Sequence, residues 1–155
     1  MPPPTLASAL LVSRAAFPRA LVMPQPDCPT THIRHCPVLI VEDDADLREM
    51  MAQLLQLEGY TAETVANGRD ALHYLSSGDR PDVILLDLMM PVMDGWEFRR
   101  RQVQDPAIAR VPVVVLSALD QARAFDLGGT AFLKKPLDFD RLLELVRRFC
   151  SSPGC

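Results

Sequence analysis

Polar residues stand at the ends of several apolar segments, and their types suit the chemistry of phosphoryl groups. They are Glu42, Asp43, Asp44, Asp87, Ser117, Lys134 and Lys135. Carboxylates that lie close together repel one another and favour a bound cation, and a site of oxygen ligands with room for water suits Mg²⁺. A carboxylate in such a site can act as a nucleophile and form an acyl phosphate. A hydroxyl and an amine can then hold the phosphoryl oxygens and offset their charge.

The chain that carries these residues alternates between predicted strands and helices. Apolar runs predict strands at 37–41, 61–66, 82–86, 111–117 and 130–134, and helical patterns predict helices at 45–59, 67–78, 95–103, 120–128 and 138–149. Strands that read as continuous apolar runs are typical of a parallel sheet covered by helices on both faces. We therefore expect an α/β fold with an open, doubly wound, five-stranded parallel sheet. Such sheets bind ligands at the carboxyl ends of their strands, where these polar residues lie.

The composition is that of an ordinary globular domain. The 155 residues are 48% hydrophobic and 23% charged, with a formal net charge of −4, which weighs against nucleic acid as a direct partner. No apolar run approaches the length of a membrane span. The four cysteines, Cys28, Cys36, Cys150 and Cys155, lie near the two ends and form no CxxC pair. We therefore expect free thiols and a cytoplasmic location.

The first 36 residues differ from the rest of the chain. They contain seven of the 14 prolines, and an eighth, Pro37, follows directly. Their apolar cluster "LASALLV" is short and lacks the preceding basic residue that a secretory signal requires. We predict a disordered, proline-rich leader at 1–36, a domain at 37–150 and a short tail at 151–155.

Several other charged residues have simpler interpretations. Asp44 precedes a predicted helix and is expected to serve as its N-cap. Lys134 is interpreted as a solvated surface charge, and His73 as a surface or packing residue of a helix. The basic run "RRRQ" at 99–102 is expected on the solvated face of the third helix.

Four motifs together resemble those of bacterial response-regulator receiver domains, over roughly residues 37–150. They are "VLIVEDDADLR", "VILLDLMMPVMDG", "VPVVVLSA" and "FLKKP", and they occur in the order typical of that family. Asp87 lies 44 positions after Asp43, and Ser117 lies 30 positions after Asp87, which also fits. The resemblance implies a flavodoxin-like (βα)5 fold with strand order 2-1-3-4-5.

The resemblance also implies a role for each acidic residue. Asp87 matches the phosphoacceptor, and Glu42 and Asp43 match the acidic pocket, with Asp43 as the direct metal ligand. Met89 matches the position whose backbone carbonyl completes the Mg²⁺ site. The implied metal ligands are therefore Glu42, Asp43, Asp87 and the Met89 carbonyl.

The remaining motif residues match parts of a conformational switch. Ser117 matches the hydroxyl that turns toward the new phosphate, and Phe132 matches the aromatic residue that rotates inward. Lys135, rather than Lys134, matches the family lysine because it directly precedes Pro136, and the family pattern suggests a cis bond between the two.

The sequence departs from the family pattern in two places: the segment between Ser117 and Lys135 is short, and Phe132 replaces the commoner tyrosine. Ser117 and Lys135 are only 18 positions apart, about one helical turn less than is typical, so we expect a shortened fourth helix at 120–128. Apolar Met89 and Leu119 flank the phosphorylation site, and by excluding water they are expected to slow the loss of the phosphoryl group.

We therefore expect a stand-alone receiver that accepts a phosphoryl group from a histidine kinase or a phosphotransfer protein. It is expected to signal through protein–protein contacts, without binding nucleic acid or membrane directly. Two alternatives stay open: a metal-dependent phosphatase with an aspartyl nucleophile, and an interaction module that does not depend on phosphorylation. Such a phosphatase requires a second acid two residues after the nucleophile. Met89 occupies that position, so we expect no enzymatic turnover beyond slow self-dephosphorylation.

Overall fold

The computed structural model describes residues 36–119, 128 and 131–150. In chain order its elements are β1 Pro37–Val41, α1 Ala45–Leu57, β2 Thr61–Val65, α2 Gly68–Ser76, β3 Val83–Asp87, α3 Gly95–Gln104, β4 Val113–Ser117, β5 Ala131–Lys134 and α4 Phe139–Cys150. The helix predicted at 120–128 falls outside the described residues except for Gly128, as do the predicted leader up to residue 35 and the tail. Within the described part of the chain, no helix is long and apolar enough to cross a membrane.

The five strands form one parallel sheet with the order β2-β1-β3-β4-β5. Every residue of β3 and β4 is buried, whereas the edge strand β2 is largely exposed or half-buried. This burial explains why the two strands read as continuous apolar runs. The predicted α/β class, doubly wound sheet and strand order are confirmed.

Helices cover both faces of the sheet and create two apolar cores. On one face α1 and α4 pack through Met51, Leu55, Leu142 and Val146, all of which are fully buried. On the other face α2 and α3 pack, with Phe98 fully buried. Burying a leucine- or phenylalanine-sized side chain contributes about 1.5–3 kcal/mol, so both faces hold the strands rigidly. The packed sheet therefore holds the strand ends that carry the polar residues in fixed positions.

Side-chain caps determine where three of the helices begin. The Asp44 carboxylate accepts hydrogen bonds from the backbone N–H groups of Asp46 at 3.0 Å and Leu47 at 3.1 Å. Asp94 accepts one from Glu97 N–H at 2.8 Å, and Asn67 caps α2 in the same way. The prediction that Asp44 is an N-cap is confirmed. The Asp44 side chain therefore caps α1 and is not part of the acidic group formed by Glu42, Asp43 and Asp87.

The expectation of free thiols is wrong for two of the four cysteines. Cys36 and Cys150 form a disulfide, with their Cα atoms 5.7 Å apart. Cys36 precedes β1, an interior strand of the sheet, and Cys150 ends α4. Because α4 runs back from the carboxyl edge of the sheet to its amino edge, residues 114 positions apart in the sequence meet there. Local sequence pattern does not predict a contact between residues so far apart in the chain. Cys28 and Cys155 lie outside the described residues.

The expectation that residues 99–102 form a solvated face is also wrong in part. Arg100 and Arg101 are exposed, but Arg99 is only 7% exposed and Gln102 is fully buried. Residues three positions apart lie on the same face of a helix, and this face of α3 points inward. Arg99 donates hydrogen bonds to Gln102 Oε1 at 2.7 Å and to the carbonyl of Gly128 at 2.6 Å.

Candidate functional site

The predicted site residues leave the sheet at a single edge. In the parallel register Val41 lies beside Leu86, and Asp87 lies beside Leu116. The residues that follow these pairs, Glu42 and Ser117, therefore emerge next to Asp87. All three are at least 97% buried, with exposures of 1% for Glu42, 3% for Asp87 and 1% for Ser117. Burial of three polar side chains at one point indicates a built site and not a solvated surface.

Three carboxylates lie together at this edge. Glu42, Asp43 and Asp87 each offer an oxygen within 4.8 Å of the others. Within the described ranges, this is the one group of three or more His, Cys, Asp or Glu residues with such spacing. Glu42 and Asp87 are buried and Asp43 is exposed, so a cation held here would keep access to water. Mg²⁺ prefers oxygen ligands and retains several waters, and the donor set fits it.

Lys135 directly follows β5 and extends its side chain into the acidic cluster. Its Nζ lies 2.8 Å from Glu42 Oε2 and 3.2 Å from Asp87 Oδ1. Lys134 is exposed, so of the two adjacent lysines Lys135 is the one that contacts these carboxylates. The bond between Lys135 and Pro136 is cis, as the family resemblance implied. The Lys135 backbone N–H also donates to the Ser117 carbonyl at 2.9 Å, which fixes the lysine beside β4.

The site has more negative charge than its lysine can neutralise. Burial raises the pKa of the Glu42 carboxyl, opposed by the hydrogen bond from Lys135. Burial likewise raises the pKa of Asp87, opposed by the charge and hydrogen bond of Lys135. Burial alone would lower the pKa of Lys135, but the hydrogen bond with Glu42 and the charge of Asp87 outweigh it, so this pKa is raised. Two buried carboxylates with one ammonium leave a net negative charge that a divalent cation would offset.

The loop after β3 is packed tightly behind Asp87. A Cβ atom on Gly95 would lie 2.5 Å from the Asp87 carbonyl oxygen and 2.8 Å from Leu88 Cα. The Gly95 N–H donates to the Leu88 carbonyl at 3.0 Å, and the Met89 backbone N–H bonds to the Asp87 carboxylate. Glycine at position 95 therefore allows α3 to begin directly against the end of β3. The Met89 side chain is 64% exposed and stands at the open side of the site.

The two predicted switch residues lie on β4 and β5. Ser117 Oγ accepts a hydrogen bond from the Leu119 backbone N–H at 3.0 Å, so in this state its oxygen is held by the loop. Phe132 pairs in register with Val115 and is half-buried against the core of α2 and α3. The structure therefore places Ser117 beside the acidic cluster and Phe132 on the neighbouring strand, β5.

Sequence reasoning missed Arg48 as a supporting residue. Its guanidinium donates to the Glu42 carbonyl at 2.8 Å and to the Asp43 carbonyl at 3.3 Å. These bonds fix the backbone of the acidic pair from the first turn of α1. The signal was present in "EDDADLR", because an arginine one turn after an N-cap can point back along the helix toward the preceding loop.

Comparison with known proteins agrees with this geometry. The family model described as the response regulator receiver domain matches residues 38–147. The transcriptional regulatory protein SphR of Synechococcus elongatus is 34% identical over 133 residues, which cover 76% of this chain and 51% of SphR. The response regulator MprA of Mycolicibacterium vanbaalenii is 37% identical over 116 residues, which cover 71% of this chain and 48% of MprA. The chain thus spans about half the length of these relatives.

Solved structures show the same fold. The receiver domain of a signal transduction histidine kinase from Syntrophus aciditrophicus has a TM-score of 0.71 and 34% identity, covering 77% of this chain and 92% of that domain. A receiver domain of a sensor histidine kinase from Pseudomonas aeruginosa, solved with a magnesium ion coordinated in its active site cleft, has a TM-score of 0.69 and 29% identity, covering 76% of this chain and 99% of that one. The family model matches residues 38–147, and the chain therefore belongs to the response regulator receiver domain family.

Proposed function

We propose that this chain accepts a phosphoryl group on Asp87 and transmits a signal through the resulting conformational change. The observation that carries the proposal is the position of Asp87. It is a buried carboxylate at the end of a central strand, with two further carboxylates within 4.8 Å and an ammonium at 3.2 Å. Attack by the Asp87 oxygen on the phosphorus of a phosphohistidine donor would form an acyl phosphate and release the donor imidazole.

Mg²⁺ is the proposed cofactor. Glu42, Asp43 and Asp87 would hold it, with Asp43 as a direct ligand, and the Met89 backbone carbonyl would complete the set. The bound ion would neutralise charge on the phosphoryl oxygens during transfer. The proposal is supported by the acidic cluster and by the Pseudomonas receiver domain solved with magnesium in its active site cleft.

The proposed switch uses Ser117, Lys135 and Phe132. A phosphoryl group on Asp87 adds charge and strong acceptor oxygens. Lys135 already touches Asp87 and would hold one oxygen. Ser117 would release the Leu119 N–H and turn its hydroxyl to another oxygen. Movement of the β4 end would open space for Phe132 to rotate inward, which shifts the population between two packings.

Phosphorylation by a small donor tests the proposal directly. Incubation with acetyl phosphate and Mg²⁺ should add the mass of one phosphoryl group, as measured by intact mass spectrometry. Asp87→Asn should abolish the adduct, and chelation of Mg²⁺ should prevent it. The adduct should disappear on treatment with hydroxylamine, which cleaves acyl phosphates.

Asp44→Asn is the matched control for this experiment. Asp44 adjoins the acidic pair but caps α1, and asparagine also serves as an N-cap, so this variant should retain the adduct. An adduct that persists in Asp87→Asn, or no adduct on the wild-type chain with either acetyl phosphate or a phosphorylated histidine kinase, would contradict the proposal.

The finer aspects of the role are also proposed here. The donor would be a histidine kinase or a phosphotransfer protein of the cytoplasm, and the output a protein–protein contact without direct nucleic acid or membrane binding. The net charge of −4 supports the absence of nucleic acid contacts. Measuring phosphotransfer from a panel of purified kinases would identify the donor.

We propose that the chain is not a turnover enzyme. An aspartyl-nucleophile phosphatase needs a general acid two positions after the nucleophile, and that position holds Met89, which cannot donate a proton. The chain should therefore accept at most one phosphoryl group per molecule and lose it slowly. Release of many equivalents of product from a generic aryl phosphate, abolished by Asp87→Asn, would favour the enzyme instead.

A further inference from the structure

A covalent bond joins the start of β1 to the C-terminal helix on the side of the sheet away from the acidic cluster. Cys36 directly precedes β1, and Cys150 is the last residue of α4. Their Cα separation of 5.7 Å lies in the range in which a disulfide forms without backbone movement. Glu42 follows β1 and Asp87 is the last residue of β3, so the bond and the proposed phosphorylation site occupy opposite edges.

The bond encloses the whole described domain. The sequence separation of 114 residues includes every described strand and helix. A disulfide that closes so long a loop restricts the unfolded chain strongly and thereby favours the folded state. Its presence or absence should consequently change the stability of the domain as a unit.

The last turn of α4 is held by the disulfide and by non-covalent contacts. Arg147 forms an ion pair with Glu58 at 2.9 Å, and both side chains are more than a third exposed, so the pair contributes little. Arg147 also has a hydrogen-bonding interaction with Tyr60, and Phe149 is half-buried against the core of α1 and α4. Of these restraints on the helix end, the disulfide is the covalent one and the one that thiol–disulfide exchange can remove.

The two sulfur atoms differ in environment. Cys36 is 3% exposed, whereas Cys150 is half-buried at the end of the helix. An incoming thiolate can approach Cys150 more readily, with Cys36 leaving as the thiolate. Disulfides in the reducing cytoplasm are generally transient and redox-sensing, not permanent.

We propose that Cys36 and Cys150 form a reversible thiol–disulfide site whose oxidation state controls the attachment of the end of α4 to the start of β1. The oxidant is a small disulfide such as oxidised glutathione. Two protein thiols transfer two electrons to it, one protein disulfide forms, and two molecules of the small thiol are released. In the reverse reaction two thiols reduce the bond and yield one small disulfide. Reversibility rests on the proposed cytoplasmic location, but the site is independent of phosphorylation.

A redox titration of the full chain tests this. The chain carrying Cys28→Ser and Cys155→Ser retains only the proposed pair. It is equilibrated in buffers of reduced and oxidised glutathione at different ratios, and remaining thiols are alkylated and counted by mass spectrometry. We expect a two-thiol transition, reversible from either direction, and a proteolytic fragment that links residues 36 and 150. A bond that never forms, one that resists reduction of the folded chain, or glutathione adducts on single cysteines would overturn the proposal.

Hydrogen exchange shows whether the bond controls the helix end. On reduction, amide exchange at residues 146–150 should rise by about tenfold or more, while residues 38–41 of β1 stay protected. Cys36→Ser should behave like the reduced wild-type chain, and Cys155→Ser like the oxidised one. Equal exchange at 146–150 in both redox states would overturn the proposal.

The result can be separated from that of the proposed function. Asp87→Asn should undergo the same redox transition as the wild-type chain, and the reduced chain should still accept a phosphoryl group from acetyl phosphate. Failure of phosphorylation in both redox states would therefore reject the proposed function and leave the redox site standing.

Discussion

At the scale of single residues, the acidic edge is a site held in charge imbalance. Burial raises the pKa values of both Glu42 and Asp87, although Lys135 contacts each of them. One ammonium between two buried carboxylates, with Asp43 beside them, leaves excess negative charge in a desolvated place. That excess favours a divalent cation and, through it, a phosphoryl group. The site is therefore expected to oppose folding when it is empty.

Asp87→Asn should stabilise the domain in the presence of a chelator. Because the folded pKa of Asp87 lies above its unfolded value, the folded state is penalised as the pH rises through the folded pKa, and the penalty is absent below the unfolded pKa. The variant should match wild type below the unfolded pKa of the Asp87 carboxyl, and its urea midpoint should exceed that of wild type increasingly as the pH rises through the folded pKa.

Asp79→Asn provides the matched control for that series, because Asp79 is exposed in the turn after α2. Its urea midpoint should follow wild type at every pH. An Asp87→Asn variant that is less stable than wild type at neutral pH would show that the carboxylate is well compensated after all.

Met89→Asn should shorten the lifetime of the acyl phosphate on Asp87. Met89 is 64% exposed beside the site, and an apolar side chain there excludes water from the phosphorus. An amide in its place can orient an attacking water without transferring a proton, so we expect decay about tenfold faster, less than the roughly 10²–10⁴-fold of general acid–base catalysis. Decay of the adduct followed by mass spectrometry measures it, with the exposed Met50→Asn as control. An unchanged or slower decay would refute the role of Met89.

At the scale of elements, α3 and the loop before it position Asp87, the proposed phosphoacceptor. Gly95 lets the helix begin in contact with the carbonyl of Asp87, and Arg99 and Gln102 fasten the helix from its inner face. Gln102 donates to the carbonyls of Ile108 at 3.0 Å and Val111 at 3.1 Å, while Arg99 reaches Gly128. Buried polar groups that are satisfied in this way specify one arrangement of neighbouring segments. α3 therefore links the end of β3 to the segments on either side of β4.

Gly95→Ala should both destabilise the domain and impair phosphorylation. The new Cβ would overlap the Asp87 carbonyl and Leu88, and such overpacking costs about 1–3 kcal/mol. The end of β3 would have to shift, so the rate of adduct formation with acetyl phosphate should fall.

Gly78→Ala separates the two effects of that change. Gly78 has a φ of 103°, which alanine rarely adopts, but nothing lies within 4 Å of its added Cβ. This variant should lose stability and keep the wild-type phosphorylation rate. Equal phosphorylation rates in Gly95→Ala and wild type would show that the contact with Asp87 is not needed to position it.

At the scale of the whole molecule, the sheet and its two cores form one packed unit, so binding at the acidic edge should change the stability of the whole domain. Both cores pack on the same five strands, and α4 contacts β3 and β5, which carry Asp87 and Phe132. A cation that binds only the folded state stabilises the whole domain by linkage. The domain therefore reports occupancy of the acidic edge through its global stability.

Mg²⁺ should raise the melting temperature of the domain. A ligand at a hundred times its Kd contributes about 2.7 kcal/mol, which corresponds to a shift of several degrees for a domain of this size. Asp43→Asn should reduce the shift, whereas Glu49→Gln, on the exposed part of α1, should not. The same shift in Asp43→Asn and wild type, in differential scanning calorimetry, would place the cation elsewhere.

The sequence by itself determined the parallel sheet, because continuous apolar runs are a local pattern. Runs that end in an acid, a hydroxyl or a lysine lead to the same edge of any parallel sheet, so the sequence also predicted which side chains meet there. The strand order and the choice of Lys135 over Lys134 came from the resemblance to the receiver family, and Asp44 was predicted as a cap from its position before a helix.

The tertiary structure alone decided the contacts that join distant parts of the chain. Residues 99–102 read as a basic surface, yet Arg99 and Gln102 are buried, because the orientation of α3 depends on what packs against it. Cys36 and Cys150 read as separate thiols, yet they are bonded, because α4 returns across the sheet to the start of β1. The physical reason is common to both cases: local pattern predicts which face of an element is apolar, whereas packing of the whole chain determines which distant side chains that face meets.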